Sequence, residues 1–321
     1  MDLTGRKVLV TGGAGFIGSA LVEFLLSKGC EVTAYDSFDD FYPGKEENLG
    51  PYLNDKDFRL VRGNILDFDS LNDAMGGVSV VFHEAAQAGV RYGIDHPRDA
   101  HETNVTGTLN VLEAARKNEV EKVVYASSSS VYGNPVSLPM VEDHPPSPTN
   151  PYGATKLAAE KYCIAYQRTY GLKTVCLRYF SVYGPRGRPD QVITAFTNII
   201  ARGGRPRIFG DGKQSRDFTY ISDVVSATYL GAAVDVDGEI INVGYGKDLS
   251  IEFVARKVAE GLGKDVQPDF VKGYEGDFPQ TLCSNSKALH QLGWRPKVPF
   301  EEGLSKYLEW YRAKMVRPLS S

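Results

Sequence analysis

Short apolar runs alternate with segments of helical periodicity through the first half of the chain. The runs cover residues 8–10, 31–36, 58–65, 78–86, 122–127 and 173–180, and helical segments such as 19–27 and 104–117 lie between them. A run such as 8–10, which is apolar throughout, is typical of a strand buried on both faces of a parallel sheet. The alternation predicts an α/β protein with a doubly wound parallel sheet, whose ligands bind at the carboxyl ends of the strands.

The regular alternation ends at about residue 181. Prolines and glycines then separate shorter segments, although a strand pattern at 239–243 is expected to rejoin the sheet and helical patterns follow at 251–261 and 300–314. We therefore predict two interleaved parts. Residues 1–180 with about 218–245 form the sheet domain, and residues 181–217 with 246–321 form a smaller α/β lobe that binds substrate.

The first apolar run leads directly into a glycine-rich turn at Gly12, Gly15 and Gly18, followed by a helical pattern. A turn without side chains at a helix N-terminus lets backbone N–H groups and the helix dipole approach a pyrophosphate. Asp36 ends the second run, where a carboxylate can accept hydrogen bonds from an adenosine ribose and would repel a 2′-phosphate. The pattern favours NAD over NADP, unless Asp36 only caps a loop. Residues 38–54 predict an irregular loop over this cofactor.

Composition limits the binding partners and the cellular location that we predict. Among 321 residues, 36 Lys and Arg face 40 Asp and Glu, giving a net charge of −4. This balance argues against nucleic acid and against a basic membrane-binding surface. The sequence has neither a secretory leader pattern nor an apolar run of spanning length, and its four cysteines lack metal-ligand spacing. We predict a soluble cytoplasmic protein without a metal site.

Residues 152–156 carry the strongest chemical signal. A helical pattern there places Tyr152 and Lys156 one turn apart on one face. A nearby ammonium stabilises phenolate, so we expect the pKa of Tyr152 to be lowered and the phenol to take a proton from a sugar hydroxyl near neutral pH. The spacing alone would favour the alternative, an ordinary pair on a helix surface.

A row of serines at 127–130 favours the catalytic interpretation of Tyr152 and Lys156 over the surface pair. These hydroxyls follow the run at 122–127, at the carboxyl end of a central strand where the sheet rule places substrate. A serine in this position can hydrogen-bond to the same sugar hydroxyl that Tyr152 deprotonates. The pair and the serines together predict a catalytic site.

In this order, the motifs resemble the extended short-chain dehydrogenase/reductase family, in particular its nucleotide-sugar epimerases and dehydratases. The motifs that carry the resemblance are residues 11–18, 85–86, 104, 127–133, 152–156, 178–185, 216–217 and 276–277, which span nearly the whole chain. The resemblance implies a Rossmann fold, bound NAD, a UDP-sugar substrate and a homodimer formed by helices near 104–117 and 152–170. Leu157, Tyr162, Cys163 and Tyr166 could supply the apolar dimer surface, although burial against the sheet would explain some of them equally well.

The resemblance also implies individual roles. The implied cofactor residues are Gly12, Gly15, Phe16, Ile17, Asp36, Asn64, Ile65, Ala85, Ala86, Gln87, Asn104, Tyr152, Lys156 and Tyr179. The implied catalytic residues are Tyr152, Ser128 and Lys156. The expected substrate residues are Ser128, Ser129, Ser130, Ser181, Arg188, Phe209, Arg216 and Asp277. Within that last set, Arg216 would neutralise the diphosphate, Asp277 would accept from the ribose and Phe209 would help form the uracil pocket.

Residues at a few positions favour one reaction of the family. Ser129 and Ser130 stand where the similar dehydratases carry an acid pair, and decarboxylases usually carry a glutamate at the position of Ser130. Serine cannot act as that acid or base, whereas a redox-neutral 4-epimerase needs neither. The sequence therefore favours a 4-epimerase.

The sugar is indicated by a second set of positions. UDP-glucose 4-epimerases usually carry asparagine where Ser181 stands, and UDP-glucuronate 4-epimerases tend to carry a small hydroxyl residue, threonine; residues 85–91 and 183–190 also resemble the latter. A C6 carboxylate requires hydroxyl donors and a cation, which Ser129, Ser130, Ser181 and Arg188 could supply. The alternative for Arg188 is a surface guanidinium or a diphosphate contact.

We therefore predict an NAD-dependent 4-epimerase that interconverts UDP-glucuronate and UDP-galacturonate through a 4-keto intermediate, with transient hydride transfer to bound NAD. The alternative within the same class is a UDP-glucose 4-epimerase. From another class, the chain could be a non-catalytic NAD-sensing protein, but such proteins commonly lose the tyrosine or lysine that this sequence retains as Tyr152 and Lys156.

Overall fold

The computed structural model describes residues 2–273 and 279–316, which form twelve β-strands and twelve α-helices. The strands are β1 (Lys7–Thr11), β2 (Glu31–Asp36), β3 (Phe58–Arg62), β4 (Val80–His83), β5 (Lys122–Ser128), β6 (Lys173–Tyr179), β7 (Ser181–Tyr183), β8 (Arg207–Phe209), β9 (Ser215–Tyr220), β10 (Glu239–Val243), β11 (Asp248–Ser250) and β12 (Asp269–Val271). The helices are α1 (Phe16–Ser27), α2 (Lys45–Leu49), α3 (Phe68–Ala74), α4 (Val90–Asp95), α5 (Pro97–His101), α6 (Gly107–Lys117), α7 (Pro151–Tyr170), α8 (Val192–Ala201), α9 (Ile221–Ala233), α10 (Ile251–Gly261), α11 (Ser286–Leu292) and α12 (Phe300–Val316).

Seven parallel strands form the main sheet, in the order β10-β6-β5-β4-β1-β2-β3. The central strand β1 pairs in parallel with β2 on one side and with β4 on the other, and strand order reverses across it. The late strand β10 pairs in parallel with β6, with Glu239 opposite Val175. The predicted doubly wound sheet and the return of residues 239–243 to it are both confirmed.

The apolar run at 8–10 is buried on both faces of this sheet. Val8 and Val10 belong to the core cluster on the α1 side, together with Leu21, whereas Leu9 packs in a separate cluster with Val111 of α6. Because successive strand residues point to opposite faces, a strand covered by helices on both sides must be apolar at every position.

Some predicted bounds differ from the structure. Helix α10 and strand β10 have the predicted bounds, but β3 and β4 end before the predicted 65 and 86, because the chain leaves the sheet there to line a cleft. The helix predicted at 104–117 begins instead as a π-helical turn at Glu102–Thr106. Residues 38–54, predicted as an irregular loop, contain α2 and a short 3₁₀ turn.

The remaining strands form two small sheets. Strand β9 pairs in parallel with β7 and antiparallel with β11, and β8 pairs in parallel with β12. Helix α12 packs against α10 and β9. Across residues 2–273 and 279–316, no helix is long and apolar enough to cross a membrane, and no group of three or more His, Cys, Asp or Glu could hold a metal ion.

Candidate active site

A cleft follows the carboxyl ends of the main strands and collects most of the predicted cofactor residues. It is lined by Gly12, Gly15, Phe16, Ile17, Asp36, Asn64, Ile65, Ala85, Ala86, Gln87, Tyr152, Lys156 and Tyr179. Arg188, predicted as a substrate residue, lines the same cleft. Parallel strands bring their carboxyl ends to one edge, which explains how residues from most of the chain meet there.

The glycine-rich turn leaves room for a ligand backbone. Gly12 has a φ of +67°, and a Cβ built on it would lie 2.7 Å from the backbone nitrogen of Ala85. A Cβ on Gly18 would overlap the carbonyl oxygen of Gly12. The turn therefore tolerates no side chains at these two positions and presents bare backbone at the start of α1, which fits a pyrophosphate.

Two further polar groups of the cleft fit a dinucleotide. The Gln87 Nε2 atom is buried and has no hydrogen-bond partner among the described residues, although it lies in the cleft wall. The buried carboxylate of Asp36 accepts from the backbone N–H groups of Ala14, at 2.9 Å, and Phe38, at 2.8 Å. Asp36 thus holds the glycine turn against the end of β2, where an adenosine ribose is predicted to bind.

Tyr42 is a cleft residue that the sequence did not indicate. Its hydroxyl accepts from the backbone N–H of Phe16 at 2.9 Å, so the first donor of α1 is bonded to a side chain from the segment 38–54. Burial raises the pKa of Tyr42 to about 12, which keeps the hydroxyl protonated. The segment predicted to lie over the cofactor therefore contacts the predicted pyrophosphate site directly.

Asn104, unlike the other predicted cofactor residues, lies behind the cleft wall. Its side-chain oxygen accepts from the Gln87 N–H at 2.8 Å, and its Nδ2 donates to the Gln87 carbonyl at 3.1 Å and to Thr155 Oγ1 at 2.9 Å. Asn104 thus ties the loop after β4 to α7. It fixes the backbone of Gln87 and is not itself among the residues lining the cleft.

Helix α7 carries the predicted Tyr–Lys pair into the cleft. Asn150 caps the helix by accepting from the Gly153 N–H at 2.9 Å, and Pro151 occupies the first turn. One turn later, Lys156 Nζ donates to the carbonyl oxygen of Ala126 in β5 at 2.8 Å. Burial lowers the pKa of Lys156 to about 8.

The predicted direction of the Tyr152 pKa is wrong for this structure. Burial raises the pKa of Tyr152, and the charge that chiefly opposes this is the Arg188 guanidinium, followed by a hydrogen bond with Ser128. Lys156 is held by the strand backbone, which directs its ammonium to Ala126. Helical spacing predicts that Tyr152 and Lys156 lie on one side of the helix, and both line the cleft, but the spacing carries no information on how deeply the phenol is buried.

The serines at 127–130 make two different kinds of contact. Ser127 lines the cleft, and its Oγ donates to the buried Glu160 Oε1 at 2.6 Å. Ser128 Oγ accepts from the Ser130 N–H at 3.1 Å and so shapes the turn that follows β5. Ser129 and Ser130 are buried in that turn. Ser128 is the serine of this row whose side chain lowers the pKa of Tyr152.

Arg188 is held by an ion pair close to its own position in the chain. Its Nε and Nη2 donate to the two carboxylate oxygens of Asp190, each at 3.0 Å. The pKa shifts show that its charge reaches both Tyr152 and Tyr42. Arg188 is not an ordinary surface guanidinium, since its side chain is only 17% exposed and lines the cleft, and the alternative of a diphosphate contact stays a prediction.

Three of the other predicted substrate residues, Phe209, Arg216 and Ser181, are not among the residues that line the cleft. Phe209 in β8 faces the Arg91 guanidinium of α4 at 4.4 Å from its ring centre. Arg216 Nη1 in β9 donates to the Ser215 carbonyl at 2.8 Å, and Ser181 begins β7. Asp277 lies outside the described residues.

Glu84 is a second cleft residue that the sequence analysis missed. It follows β4 directly and lines the cleft. The signal that found Asp36, a carboxylate immediately after a buried strand, applies equally to Glu84. Glu84 falls inside the run 78–86, so the sequence pattern predicts it as part of a strand.

Part of the apolar surface predicted for a dimer is buried within the subunit. Cys163 and Tyr166 of α7 are buried against the sheet in the core cluster that contains Leu9, and Leu157 packs against a third cluster. Tyr162 remains exposed on the same helix. Burial in the subunit thus accounts for part of the apolar pattern attributed to an interface.

The doubly wound sheet, the bare glycine turn and the Tyr–Lys helix define a Rossmann-type enzyme of dinucleotide chemistry. The sequence model of the NAD-dependent epimerase/dehydratase family matches residues 8–244. The chain belongs to this family, and NAD is its cofactor. The family resemblance and the cofactor predicted from the motifs are both confirmed.

Similar proteins extend over nearly the whole chain. UDP-glucuronate 4-epimerase of Thermodesulfobacterium geofontis is 38% identical, over 94% of this chain and 95% of the relative. UDP-glucose 4-epimerase of Mycolicibacterium smegmatis is 37% identical, over 96% and 99%. A solved structure of UDP-glucuronic acid 4-epimerase from Bacillus cereus, in complex with UDP-glucuronic acid and NAD, is 35% identical with a TM-score of 0.92, covering 96% of this chain and 100% of that chain. Relatives named for two different sugars are thus comparably similar.

Replacing Gly12 with alanine is expected to weaken NAD binding by roughly tenfold or more, because the new Cβ must displace the backbone of Ala85, and overpacking of this kind costs about 1–3 kcal/mol. Titration of the cofactor-depleted protein with NAD measures the loss. Gly5→Ala is the matched control, since Gly5 has a similar φ of +70° but no described atom within 4 Å of a built Cβ. If both variants bound NAD as the wild type does, the turn would not be the pyrophosphate site.

Proposed function

We propose that the protein is a UDP-sugar 4-epimerase that interconverts UDP-glucuronate and UDP-galacturonate. The family and its cofactor are established above, so the proposal concerns the substrate and the residues that act on it. The observation that carries it is the position of Arg188, a cation in the same cleft as Tyr152 and within electrostatic reach of its phenol. An anionic sugar at Tyr152 would be recognised by this charge.

Tyr152 is the proposed acid–base residue. Its phenol oxygen takes the proton from the 4-hydroxyl and later returns it to the same oxygen, so the net reaction consumes no proton. Ser128, whose side chain lowers the pKa of Tyr152, is the residue that we propose holds the phenol toward that hydroxyl. Bound NAD supplies the acceptor and donor of hydride at C4. Lys156 and Arg188 supply the positive charge that favours phenolate when the proton is transferred.

Arg188 and nearby hydroxyls form the proposed carboxylate site. The ion pair with Asp190 uses Nε and Nη2, and a guanidinium carries five N–H donors in a planar arrangement. Asp190 thereby fixes the plane of the guanidinium, and Nη1 is the group that we propose donates to the C6 carboxylate. Ser129, Ser130 and Ser181 are the proposed hydroxyl donors.

The same serines argue against a dehydratase. Removal of the C6 hydroxyl requires an acid and a base beside the sugar, whereas the turn after β5 offers only hydroxyls at positions 129 and 130. Epimerisation needs a single group that moves one proton, and Tyr152 provides it.

We further propose that one of the two interleaved parts binds NAD and the other binds the UDP moiety, as the sequence predicts. Residues 1–180 with about 218–245 bind NAD, where Asn64 and Ile65 contact adenine and Tyr179 seats the nicotinamide. Residues 181–217 with 246–321 bind the UDP moiety through Phe209, Arg216 and Asp277. A homodimer through α6 and α7 is supported by the exposed side chains of Tyr162 and Tyr170 on α7.

Proton NMR tests the substrate. The purified protein, without added NAD, is incubated separately with UDP-glucuronate and UDP-glucose. We expect conversion of UDP-glucuronate to UDP-galacturonate and little change in UDP-glucose. Conversion of UDP-glucose alone would contradict the proposed sugar and retain the mechanism. If neither sugar reacted even with NAD added, the non-catalytic alternative would replace the proposal.

Arg188→Met sharpens this test. A hydrogen bond to a charged group contributes about 1.5–3 kcal/mol, so the variant is expected to raise KM for UDP-glucuronate by roughly ten- to a hundredfold. The matched control is Arg186→Met, which removes a guanidinium that pairs instead with Glu23, at 2.8 Å. Equal effects of the two substitutions would exclude the proposed carboxylate contact.

A further inference from the structure

Glu84 is a buried acidic side chain in the cleft that the proposed function does not use. It follows β4 and lines the cleft together with Tyr152, Lys156 and Tyr179. A carboxylate removed from water is unfavourable unless polar or charged groups compensate it. Its neighbours therefore show what the carboxylate does.

The hydroxyl of Tyr179 is the direct partner of Glu84. It donates to Glu84 Oε1, with 2.9 Å between the oxygens, and lies 2.7 Å from Thr228 Oγ1 on α9. Burial raises the pKa of Glu84 to about 7, against the lowering effects of the Tyr179 hydrogen bond and the Lys156 charge. The Glu84 carboxyl group is thus mostly ionised once the pH exceeds its pKa of about 7.

Glu84 also interacts by charge with the two residues of the Tyr–Lys pair. Its carboxylate raises the pKa of Lys156 and that of Tyr152. Together with the Tyr179 hydrogen bond and the shared cleft lining, these interactions place Glu84 at the Tyr–Lys end of the cleft, where hydride and proton are exchanged in the proposed function. The adenosine end is marked by Asp36, the last residue of β2, and by Asn64, which follows β3.

At that end of the cleft, the two oxidation states of the cofactor differ in charge. The oxidised nicotinamide ring is positive and the reduced ring is neutral, and the cleft already contains two cations, Lys156 and Arg188, of which Arg188 is paired with Asp190. In a buried site, where charges interact more strongly than in water, these cations disfavour the oxidised ring and a carboxylate favours it. We propose that the Glu84 carboxylate stabilises the oxidised nicotinamide relative to the reduced one and so determines the oxidation state in which the protein retains its cofactor.

The test compares binding of NAD⁺ and NADH to the cofactor-depleted full-length protein at pH 8. Glu84→Gln removes the charge but keeps an oxygen that can accept from Tyr179. An opposite charge at short range shifts such equilibria by about one to three powers of ten. We expect the ratio of the NAD⁺ to the NADH dissociation constant to rise by about tenfold, which corresponds to a potential of the bound couple higher by about 30 mV.

Two further variants make the result decisive. Asp36→Asn, the same change at the adenosine end, is expected to weaken both forms equally and leave the ratio unchanged. Glu84→Leu replaces the carboxylate with an apolar group, while Tyr179 keeps Thr228 as a partner, and serves if the glutamine variant does not fold. An unchanged ratio in the Glu84 variants, or an equal loss for both forms, would overturn the proposal. Because no sugar is present, the outcome is independent of the proposed substrate.

Discussion

Tyr152→Phe is expected to lower kcat for epimerisation on the order of 10²–10⁴-fold, the usual contribution of a positioned acid–base group. The phenol is the group through which the proposed mechanism moves the proton of the 4-hydroxyl. Phenylalanine fills the same volume, so the fold and the cleft should persist. Turnover by proton NMR and binding of NAD and UDP-glucuronate by calorimetry measure the two effects separately, and we expect loss of the first with retention of the second.

Tyr162→Phe provides the matched control for Tyr152→Phe. Tyr162 lies on the same helix, is exposed, and is absent from the cleft lining. Its replacement should leave kcat within about twofold of the wild type, since Tyr162 is not among the cleft residues and a surface substitution of this kind leaves the fold stable to within about 0.5 kcal/mol. Comparable kcat values for the two variants would show that another group moves the proton.

Arg178→Met is expected to lower the free energy of unfolding by about 3–5 kcal/mol, because it leaves a buried carboxylate without its partner. Arg178 Nε and Nη2 each donate to the Glu160 carboxylate at 2.8 Å, and the two side chains are only 2% and 0% exposed. Ser127 donates to the same carboxylate. Urea unfolding at pH 7 measures the loss.

Replacing an exposed arginine tests whether the loss of stability in Arg178→Met comes from burial of the ion pair or only from loss of a charge. Arg205 pairs with Asp269 at 2.9 Å, and both side chains are about half exposed, so Arg205→Met should cost less than about 1 kcal/mol. The double variant Glu160→Leu with Arg178→Met removes both buried charges and should recover much of the stability lost in Arg178→Met. Equal losses for Arg178→Met and Arg205→Met would mean that the buried pair is not compensated as described.

The main sheet could be predicted because its strands are defined by their own residues. A strand covered on both faces is apolar at every position, as residues 8–10 are, and this pattern requires no knowledge of the partner strand. The π-helical turn at Glu102–Thr106 leaves no such pattern. It is associated with the bonds of Asn104 to Gln87 and Thr155, contacts between residues 17 and 51 positions apart in the chain.

Residues of the site, too, can be predicted only where the signal lies in neighbouring positions of the chain. Tyr152 and Lys156 were predicted together because they lie one helical turn apart, and Asp36 because it ends a strand. Tyr42 and the degree of burial of Tyr152 depend on segments that meet only in the folded protein. The pKa of Tyr152 was predicted in the wrong direction for this reason, since its spacing from Lys156 carries no information about solvent.

Strand β10 has a consequence for how the protein is made. The first six strands of the main sheet are complete by Tyr179, but the outer edge of β6 is covered only by Glu239–Val243. As the chain leaves the ribosome, that edge stays open while about sixty further residues are synthesised, and an open strand edge can pair with other chains. The main sheet of a nascent chain therefore stays incomplete until Val243, after residues 181–217 of the proposed substrate lobe have already been synthesised.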